Sequence, residues 1–247
     1  MDFSRPNRIR QFFATAPTPC PYMSGRVEQK LVIELKTDDA GSFFGDLARA
    51  GFRRSHGLAY RPACKGCNAC VPVRIPVETF QETRSMRRIS RLNSDLTALE
   101  LAPNALREHF DLFKNYLEKR HSDSDMAEMG WRDYCAMIEN TSVDTAVIEH
   151  RTKAGQLMAV CLIDLANDSL SAVYSFFEPE ERKRSLGKYI VLELIRRARD
   201  LNLDHVYLGY WIAGSNTMDY KRRFPGLEAF RGGVWVPASQ MDESYER

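Results

Sequence analysis

Four cysteines in the first 70 residues are the side chains in this sequence best suited to metal or redox chemistry. Cys64, Cys67 and Cys70 form two overlapping C-x-x-C units, and Cys20 lies upstream in a proline-rich segment. Thiolates at this spacing bind zinc or an iron–sulfur cluster, and Cys20 would supply the fourth ligand. The sequence has no second C-x-x-C pair and no nearby histidine apart from His56. Free or redox-sensing thiols therefore remain the alternative.

Basic side chains are concentrated in the same third of the chain. Residues 1–92 carry 16 Lys and Arg against 8 Asp and Glu, whereas residues 93–247 carry 19 against 25. Between Arg49 and Arg91, ten basic residues and two acidic ones are interleaved with aromatic residues. Guanidinium groups on such a surface neutralise phosphates or clamp carboxylates. The asymmetry predicts a polyanionic partner, with an ordinary solvated face as the alternative.

The composition is that of a folded globular protein. The 247 residues are 44% apolar and 28% charged, with a net charge of +2, which fits one or two compact domains. No run of 18 apolar residues occurs, and no apolar stretch follows the arginines of residues 1–10, so neither a membrane span nor a secretory signal is expected. We predict a cytoplasmic protein with a basic, cysteine-containing subdomain at residues 1–92 and a second domain at residues 93–247.

Hydrophobic periodicity predicts alternating helices and strands in both parts. The N-terminal part is expected to contain a strand at 31–35, a helix at 37–51 and a strand at 71–77, whose prolines place it at a sheet edge or end. From Asp95 the predicted order is strand, two helices, a three-strand antiparallel meander, helix, strand, short helix and a last strand at 229–236. This is the order of the GNAT fold of N-acyltransferases, whose mixed sheet splays open between its fourth and fifth strands. The predicted fold class is therefore α+β, a GNAT-like acyltransferase fold behind a basic N-terminal α/β subdomain.

The start of the long predicted helix, capped by Ser185, is a second segment suited to ligand binding. In coenzyme A versions of the GNAT fold, backbone amides of a Q/R-x-x-G-x-G/A turn bind the pyrophosphate at this point. Here residues 184–189 keep Gly187, but Tyr189 replaces the second small residue. A phenol is unfavourable where backbone must approach a pyrophosphate, so we predict a site altered for a different donor. The alternative is that Gly187 only allows the helix to pack.

Eight ordered segments between residues 12 and 235 carry a family resemblance. They read TPCPYMSGR (18–26), GFRRS (51–55), YRPAC (60–64), YLEKRH (116–121), SAVYSFF (171–177), SLG (185–187), YLGYWI (207–212) and MDYK (218–221). These segments resemble the aminoacyl-tRNA–protein transferase family, closest to the bacterial aspartate/glutamate leucyltransferases, which are related to the eukaryotic arginyl-tRNA–protein transferases.

The resemblance implies transfer of leucine from leucyl-tRNA to the α-amine of proteins that begin with Asp or Glu, which marks them for degradation by the N-degron route. Arginine as the donor amino acid remains open. The implied partners are an aminoacyl-tRNA and an acidic protein N-terminus, without membrane or DNA. Because the donor ester is already activated, the chemistry requires no cofactor, and a zinc ion or iron–sulfur cluster at the cysteines remains open.

Candidate site residues follow from these motifs, from the basic stretch between Arg49 and Arg91, and from the cysteine spacing. The splayed strands would place residues 174–176 opposite residues 207–211, where they supply an apolar aminoacyl pocket and backbone donors. Fixed cations would bind the Asp or Glu side chain at the N-terminus of the acceptor protein. The candidates are Tyr174, Ser175 and Tyr210 for catalysis; Arg53, Arg54, Lys221, Phe176, Trp211 and Gly187 for substrate binding; Arg84, Arg87 and Arg88 for tRNA; and Cys20, Cys64, Cys67 and Cys70 for a metal.

Two other functions remain open at the level of sequence. The first is a coenzyme A-dependent N-acetyltransferase, disfavoured by Tyr189. The second is a metal or redox sensor that binds RNA through its basic third without catalysis. Leucine transfer from leucyl-tRNA to a peptide beginning with Asp would distinguish all three functions.

Overall fold

A computed structural model of the protein describes residues 10–35, 39–122, 124–213, 215 and 218–240. Its strands are β1 (Phe13–Ala14), β2 (Thr18–Pro19), β3 (Val27–Glu28), β4 (Lys30–Glu34), β5 (Arg53–Ser55), β6 (Leu58–Pro62), β7 (Cys70–Pro76), β8 (Leu96–Leu101), β9 (Asp144–Thr152), β10 (Leu157–Ala166), β11 (Ser169–Phe177), β12 (His205–Ile212), β13 (Glu228–Arg231) and β14 (Val234–Pro237). Its α-helices are α1 (Ala40–Arg49), α2 (Arg84–Leu92), α3 (Arg107–Arg120), α4 (Trp131–Glu139) and α5 (Leu186–Asp200). Short 3-10 helices span Asp125–Glu128, Arg182–Arg184, Asp219–Arg223 and Ala238–Gln240.

An eight-stranded mixed sheet forms the centre of the fold, in the order β14-β13-β7-β12-β11-β10-β9-β8. The meander β9-β10-β11 is antiparallel, and β12 joins β11 in parallel. One face packs against α5 and the other against α3 and α4, each through its own cluster of buried apolar side chains. The apolar stripes of these helices bury their surface against the sheet and supply the main stabilisation. The α+β class and the GNAT-like order from β8 onward are confirmed.

The N-terminal residues build a second sheet with the order β1-β4-β6-β5. Helix α1 covers it through Phe44 and Leu47, which pack with Ile33 and Leu35. The strand predicted at 31–35 is confirmed as β4, whereas the predicted helix start at Thr37 lies outside the described residues. One strand from before residue 92, β7, belongs to the large sheet. The division into residues 1–92 and 93–247 stays a prediction.

Three details differ from the sequence expectation. Strand β7 is an interior strand, because β12 pairs with it on one side and β13 on the other. Pro72 is compatible with this position since β13 pairs only with Val73 and Arg74. The predicted single last strand is a hairpin, because Gly232 and Gly233 adopt positive φ values of 55° and 87° that reverse the chain. The predicted helix after β12 is a 3-10 helix over residues 219–223.

Within the described part of the chain, no helix is both long and apolar enough to cross a membrane.

Candidate active site

The large sheet opens between β11 and β12, its fourth and fifth strands counted from β8. These strands pair only at Ser169 with His205, Leu170 with Val206 and Ser171 with Tyr207. Beyond Ser171 and Tyr207 the two backbones separate, so their polar groups no longer bond to each other. The predicted splay is confirmed, and it exposes strand backbone to a second group that can donate or accept hydrogen bonds.

Arg53, from β5 of the small sheet, inserts its guanidinium group into this splay. Its Nη2 donates to the carbonyl oxygens of Ala172 at 2.7 Å and Val173 at 2.8 Å, both on β11. On the facing strand, Gly209 has a φ of 73° and lies at an irregularity of the pairing between β12 and β7. A Cβ at Gly209 would overlap the guanidinium group. Glycine therefore serves two needs here, a left-handed backbone and room for Arg53.

Lys221 lies on the β12 side of the same splay. Lys221 is 6% exposed, and its ammonium group donates to the carbonyl oxygen of Tyr210 at 2.6 Å. Burial, together with the positive charge of Arg53, lowers its pKa from 10.5 to about 7. Arg53 and Lys221, two of the three cations predicted to bind the acidic side chain of the acceptor, therefore lie together in the splay.

Arg54, the third predicted cation, is engaged elsewhere. Its Nε and Nη2 atoms each donate to a carboxylate oxygen of Asp164 at 2.7 Å, and both side chains are at most 1% exposed. Thr145 also donates to Asp164 at 2.8 Å. Because this bidentate pair is closed to solvent, Arg54 is not available to a substrate carboxylate. Its assignment as a substrate-binding residue is wrong, and its role is to join β5 to β10.

We expect Arg54→Met to destabilise the protein by about 3 kcal/mol, because it leaves the Asp164 carboxylate buried without its partner. Chemical denaturation of the variant measures this loss. Arg49→Met, which removes an exposed partner of Asp46 and Asp168, serves as the control and should cost less than about 1 kcal/mol. An Arg54→Met variant as stable as the parent would contradict the structural role.

A cavity of about 510 Å³ opens where α5 begins and β11 ends. The described residues that line it include Tyr116 and Phe177, whose rings lie 4.9 Å apart, and Tyr220, next to Lys221 in sequence. Aromatic walls of this kind stack against a nucleobase. The cavity is large enough for a small polar ligand and adjoins the open end of the splay.

The charges around the cavity favour an anion. Arg120, Arg182 and Lys188 line it as cations, and none of them forms an ion pair with a described residue inside the cavity. Glu181 also lines the cavity, but its carboxylate lies 3.5 Å from Arg184. The first turn of α5 adds the backbone N–H groups of a helix start, which favour negative charge.

The helix start itself differs in two respects from the expectation. Ser185 is the N-cap residue as predicted, but it adopts a φ of 52° and its side chain makes no capping bond. Tyr189 does not line the cavity; it is 4% exposed and packs 5.5 Å from His150 in the core. The argument that its phenol alters an anion site is therefore wrong. Gly187 does line the cavity, where a Cβ would come within 3.0 Å of the Phe177 ring.

The remaining candidates lie around the splay in different roles. Ser175 is the one catalytic candidate that lines the cavity. The Tyr210 hydroxyl lies about equally far from the carbonyl oxygens of Gly51, at 3.1 Å, and Tyr60, at 3.0 Å, on the small-sheet side. Burial raises the pKa of this hydroxyl, and its contacts link the two sheets. Its predicted catalytic role stays a prediction.

The aromatic candidates form part of the core. Phe176 is 1% exposed and packs against Phe113 at 5.4 Å, so it supports the floor of the site without facing a ligand. Tyr174 joins the same cluster at 6.0 Å from Phe113, and burial raises the pKa of its hydroxyl. Trp211 is 6% exposed, and the Arg222 guanidinium lies 5.0 Å from the centre of its ring.

Helix α2 carries the predicted tRNA-binding residues on its solvent face. Arg84, Arg87 and Arg88 are exposed, and none of them forms an ion pair with a described residue. The end of α2 is fastened to the start of α5, since Asn93 donates to the carbonyl oxygens of Ile89 and Arg184, each at 2.9 Å. Asn93 therefore links the end of α2 to the residues that precede α5 at the cavity.

The four N-terminal cysteines are neighbours in space. Burial raises the pKa of the Cys70 thiol to about 12, and the nearby Cys20, Cys64 and Cys67 thiols contribute in the same direction. Cys64 is also held by the backbone of Gln29, whose N–H lies 3.4 Å from its sulfur. Among the described residues, however, no group of three metal-ligating side chains is arranged to hold an ion. The zinc or iron–sulfur assignment stays a prediction.

Comparison with known proteins identifies the family. The model of "Arginine-tRNA-protein transferase, C terminus" matches residues 108–231, and that of the N terminus matches residues 18–88. An aspartate/glutamate leucyltransferase of Paramagnetospirillum magneticum is 52% identical over 95% of this chain and 96% of its own length. The chain belongs to the arginine-tRNA-protein transferase family. Another relative within it, the aspartate/glutamate leucyltransferase of Granulibacter bethesdensis, is 45% identical over 98% of this chain and 91% of its own length.

Solved structures similar to this family member include FemX, with 11% identity, a TM-score of 0.45 and coverage of 76% of this chain and 64% of that one. A tandem GNAT protein from the clavulanic acid biosynthesis pathway matches with 11% identity, a TM-score of 0.41 and coverage of 85% and 58%.

Of the described residues that line the cavity, the sequence reasoning named only Ser175 and Gly187 as site residues, and it missed Tyr116 and His121. Tyr116 and His121 lie in the YLEKRH motif, and their side chains are hydrogen-bonded at 3.1 Å. Their spacing of five along a helix that ends at Arg120 indicates that they share one end of α3. This spacing indicates from the sequence that the two side chains lie close together, but only the packing of α3 on β11 shows which cavity they face.

Proposed function

We propose that this protein transfers leucine from leucyl-tRNA to the α-amine of proteins whose first residue is Asp or Glu, in the cytoplasm, and so tags them for degradation. The observation that carries the proposal is the 52% identity to an aspartate/glutamate leucyltransferase over 95% of the chain. The splayed sheet, the cationic cavity beside it and the two buried cations give this activity a physical basis.

The cavity is suited to the aminoacylated end of a tRNA. Tyr116 and Phe177 offer faces on which a terminal adenine stacks, and the start of α5 with Arg182 and Lys188 offers donors and positive charge to phosphate. Ser175 lies where β11 reaches the cavity and supplies a hydroxyl donor near the ester. The ester is already activated, so holding it in place and stabilising the tetrahedral oxyanion are the main demands on the protein.

The charges of the cavity favour leucine over arginine as the donor amino acid. Three cations line it against one acidic side chain, Glu181, whose carboxylate lies 3.5 Å from Arg184. An arginyl side chain would add a further positive charge to this excess. An apolar leucyl side chain meets no such repulsion and gains contact with aromatic walls.

The acidic side chain of the acceptor protein is assigned to Arg53 and Lys221. Arg53 bonds to β11 through Nη2, and Lys221 bonds to β12 through one of its three donors, so both retain donors toward the splay. A carboxylate between them would gain charge-assisted hydrogen bonds from both groups. An amide of the same size would leave the cations without a counter-charge.

The tRNA body is assigned to the arginine face of α2. Replacing Arg84, Arg87 and Arg88 with Ala should weaken tRNA binding and reduce the slope of log Kd against log salt by roughly 2 to 3, because fewer counterions are released. Filter binding at a series of salt concentrations measures the slope. Replacing Arg107, Arg132 and Arg223 instead provides a charge-matched control, which should leave the slope unchanged. An unaltered slope in the α2 variant would remove this helix from the tRNA surface.

A donor comparison tests the proposed function itself. Mass spectrometry of a peptide beginning with Asp should detect leucine addition with leucyl-tRNA and protein, and little addition with arginyl-tRNA. Acetyl-coenzyme A in place of tRNA should give no product. Acetylation without leucine addition would instead support the coenzyme A-dependent alternative.

A further inference from the structure

The end of α3 places an imidazole in the wall of the cavity. His121 is the C-cap residue of α3 and lines the cavity beside Tyr116 and Ser175. Its Nε2 lies 3.1 Å from the Tyr116 hydroxyl, and the two rings lie 5.3 Å apart. Tyr116 in turn packs 4.9 Å from Phe177. The buried Tyr116 and the half-buried Phe177 therefore fix the imidazole at the cavity, where His121 is the one histidine among the described lining residues.

The surroundings keep this imidazole neutral. Burial lowers the pKa of His121 below its usual 6.5, and the positive charge of Arg120 lowers it further. The other titratable or charged groups facing the cavity are Tyr116 on α3, Glu181 and Arg182 before α5, Lys188 on α5, and Tyr220 after β12. Since the cations outnumber the one carboxylate, these neighbours also favour the neutral form.

The other groups of the cavity are poorly suited to accept a proton. Burial raises the pKa of the Tyr116 and Tyr220 hydroxyls, which keeps both protonated at neutral pH. Ser175 has no basic partner among the hydrogen bonds of the described residues, and Arg120, Arg182 and Lys188 are cations. Lys221 does not line the cavity, and its ammonium group is bonded to the carbonyl oxygen of Tyr210. Two lining groups can accept a proton: the Glu181 carboxylate, which lies 3.5 Å from the Arg184 guanidinium, and the His121 imidazole, whose neighbour is the neutral Tyr116 hydroxyl. The imidazole is the one of the two without a cationic partner.

We propose that His121 is the general base of the transfer reaction, positioned by its hydrogen bond to Tyr116, an inference that rests on the proposed function. The α-amine of the acceptor, after loss of its ammonium proton to solvent, attacks the carbonyl carbon of the leucyl ester. A C–N bond forms while the amine passes a proton to the imidazole. The bond between carbonyl carbon and ribose oxygen then breaks, and the imidazolium returns the proton to that oxygen, leaving deacylated tRNA and a peptide bond.

The sharpest test is the pH dependence of kcat/KM for a peptide beginning with Asp, measured from pH 5 to 8. In the wild-type protein both the amine and the imidazole must be unprotonated, so the acid limb should reach a slope of two. His121→Gln should slow transfer by on the order of 100-fold to 1000-fold and leave a slope of one, because only the amine then titrates. His205→Gln is the matched control: His205 is also half-buried with a lowered pKa, but it lies at the start of β12 away from the cavity.

Four further measurements separate catalysis from structure. Binding of leucyl-tRNA and the thermal unfolding midpoint of His121→Gln should match those of the wild-type protein, and free imidazole should restore part of the activity of His121→Ala. Tyr116→Phe should lower kcat by on the order of 10-fold, since the imidazole loses its positioning bond. If the wild-type protein is active and the His121→Gln variant keeps either the wild-type rate or a slope of two, this proposal is wrong. The proposed function is then unaffected. Inactive wild-type protein would instead overturn the proposed function.

Discussion

Gly209→Ala should reduce leucyl transfer by on the order of 1000-fold, because the new methyl group and Arg53 cannot occupy the splay together. The Arg53 guanidinium would leave the carbonyl oxygens of Ala172 and Val173, which it now satisfies. The strand edges that border the ester would then shift. Because the φ of 73° also disfavours alanine, the variant should lose about 2 kcal/mol of stability as well.

Gly226→Ala is the control for this substitution. Gly226 also has a positive φ, of 69°, but a Cβ there meets only Pro76 at 4.0 Å. This variant should share the backbone strain of Gly209→Ala and keep its transfer rate within about threefold of the wild type. Single-turnover assays at a temperature where both variants are folded compare the two directly. Equal rates for Gly209→Ala and the wild type would show that Arg53 can leave the splay without consequence.

Lys221→Met should remove most of the discrimination between acidic and neutral acceptors. We expect the wild-type protein to prefer a peptide beginning with Asp over one beginning with Asn by on the order of 1000-fold, and the variant by less than about 10-fold. The preference of the wild-type protein should also weaken above pH 7, since Lys221, with a pKa of about 7, loses its charge there. Initial rates with the two peptides at pH 6, 7 and 8 test both expectations.

The same variant should be more stable than the wild type. A pKa lowered from 10.5 in the unfolded chain to about 7 in the folded one means that folding opposes protonation. The destabilisation is absent above pH 10.5, grows as the pH falls to 7, and is constant below that. Lys221→Met removes it, and after loss of the bond to Tyr210 we expect a net gain of about 2 kcal/mol at pH 7.

Lys114→Met is the matched control for both measurements, because Lys114 also donates to a backbone carbonyl at 2.6 Å, that of Ala127. It should change neither the acceptor preference nor the stability in the direction expected for Lys221→Met. A Lys221→Met variant that still discriminates against Asn as the wild type does would place the acidic side chain elsewhere.

Much of the fold follows from local pattern. The meander and the long helix α5 are visible as apolar periodicities, and the splay follows from the order of the elements after Asp95. The hairpin after β13 was missed because the mostly apolar residues on both sides of Gly232 and Gly233 also fit one continuous strand. The positive φ values of the two glycines are a turn signature that should outweigh this pattern.

The site was harder to predict because its residues meet across long separations. Arg53 and Arg54 are adjacent in sequence and extended in conformation, so their side chains point to opposite faces of β5. One therefore enters the splay, while the other is buried against Asp164, 110 residues away. Alternation along the strand predicts that the two side chains lie on opposite faces of β5, but it does not indicate which of them faces the site. Tyr189 shows the same limit, since motif position alone does not indicate which way a helical side chain points.

The most direct measurement of the central claim is the rate at which labelled leucine passes from leucyl-tRNA to four peptides that differ only in their first residue, Asp, Glu, Asn or Lys. If Arg53 and Lys221 bind the acidic side chain of the acceptor, and the neighbouring cavity holds the leucyl ester, peptides that begin with Asp or Glu should be labelled rapidly. Asn and Lys peptides should then be labelled at least 100-fold more slowly, on the order expected for an unpaired buried charge. Equal labelling of the Asp and Lys peptides would contradict this account.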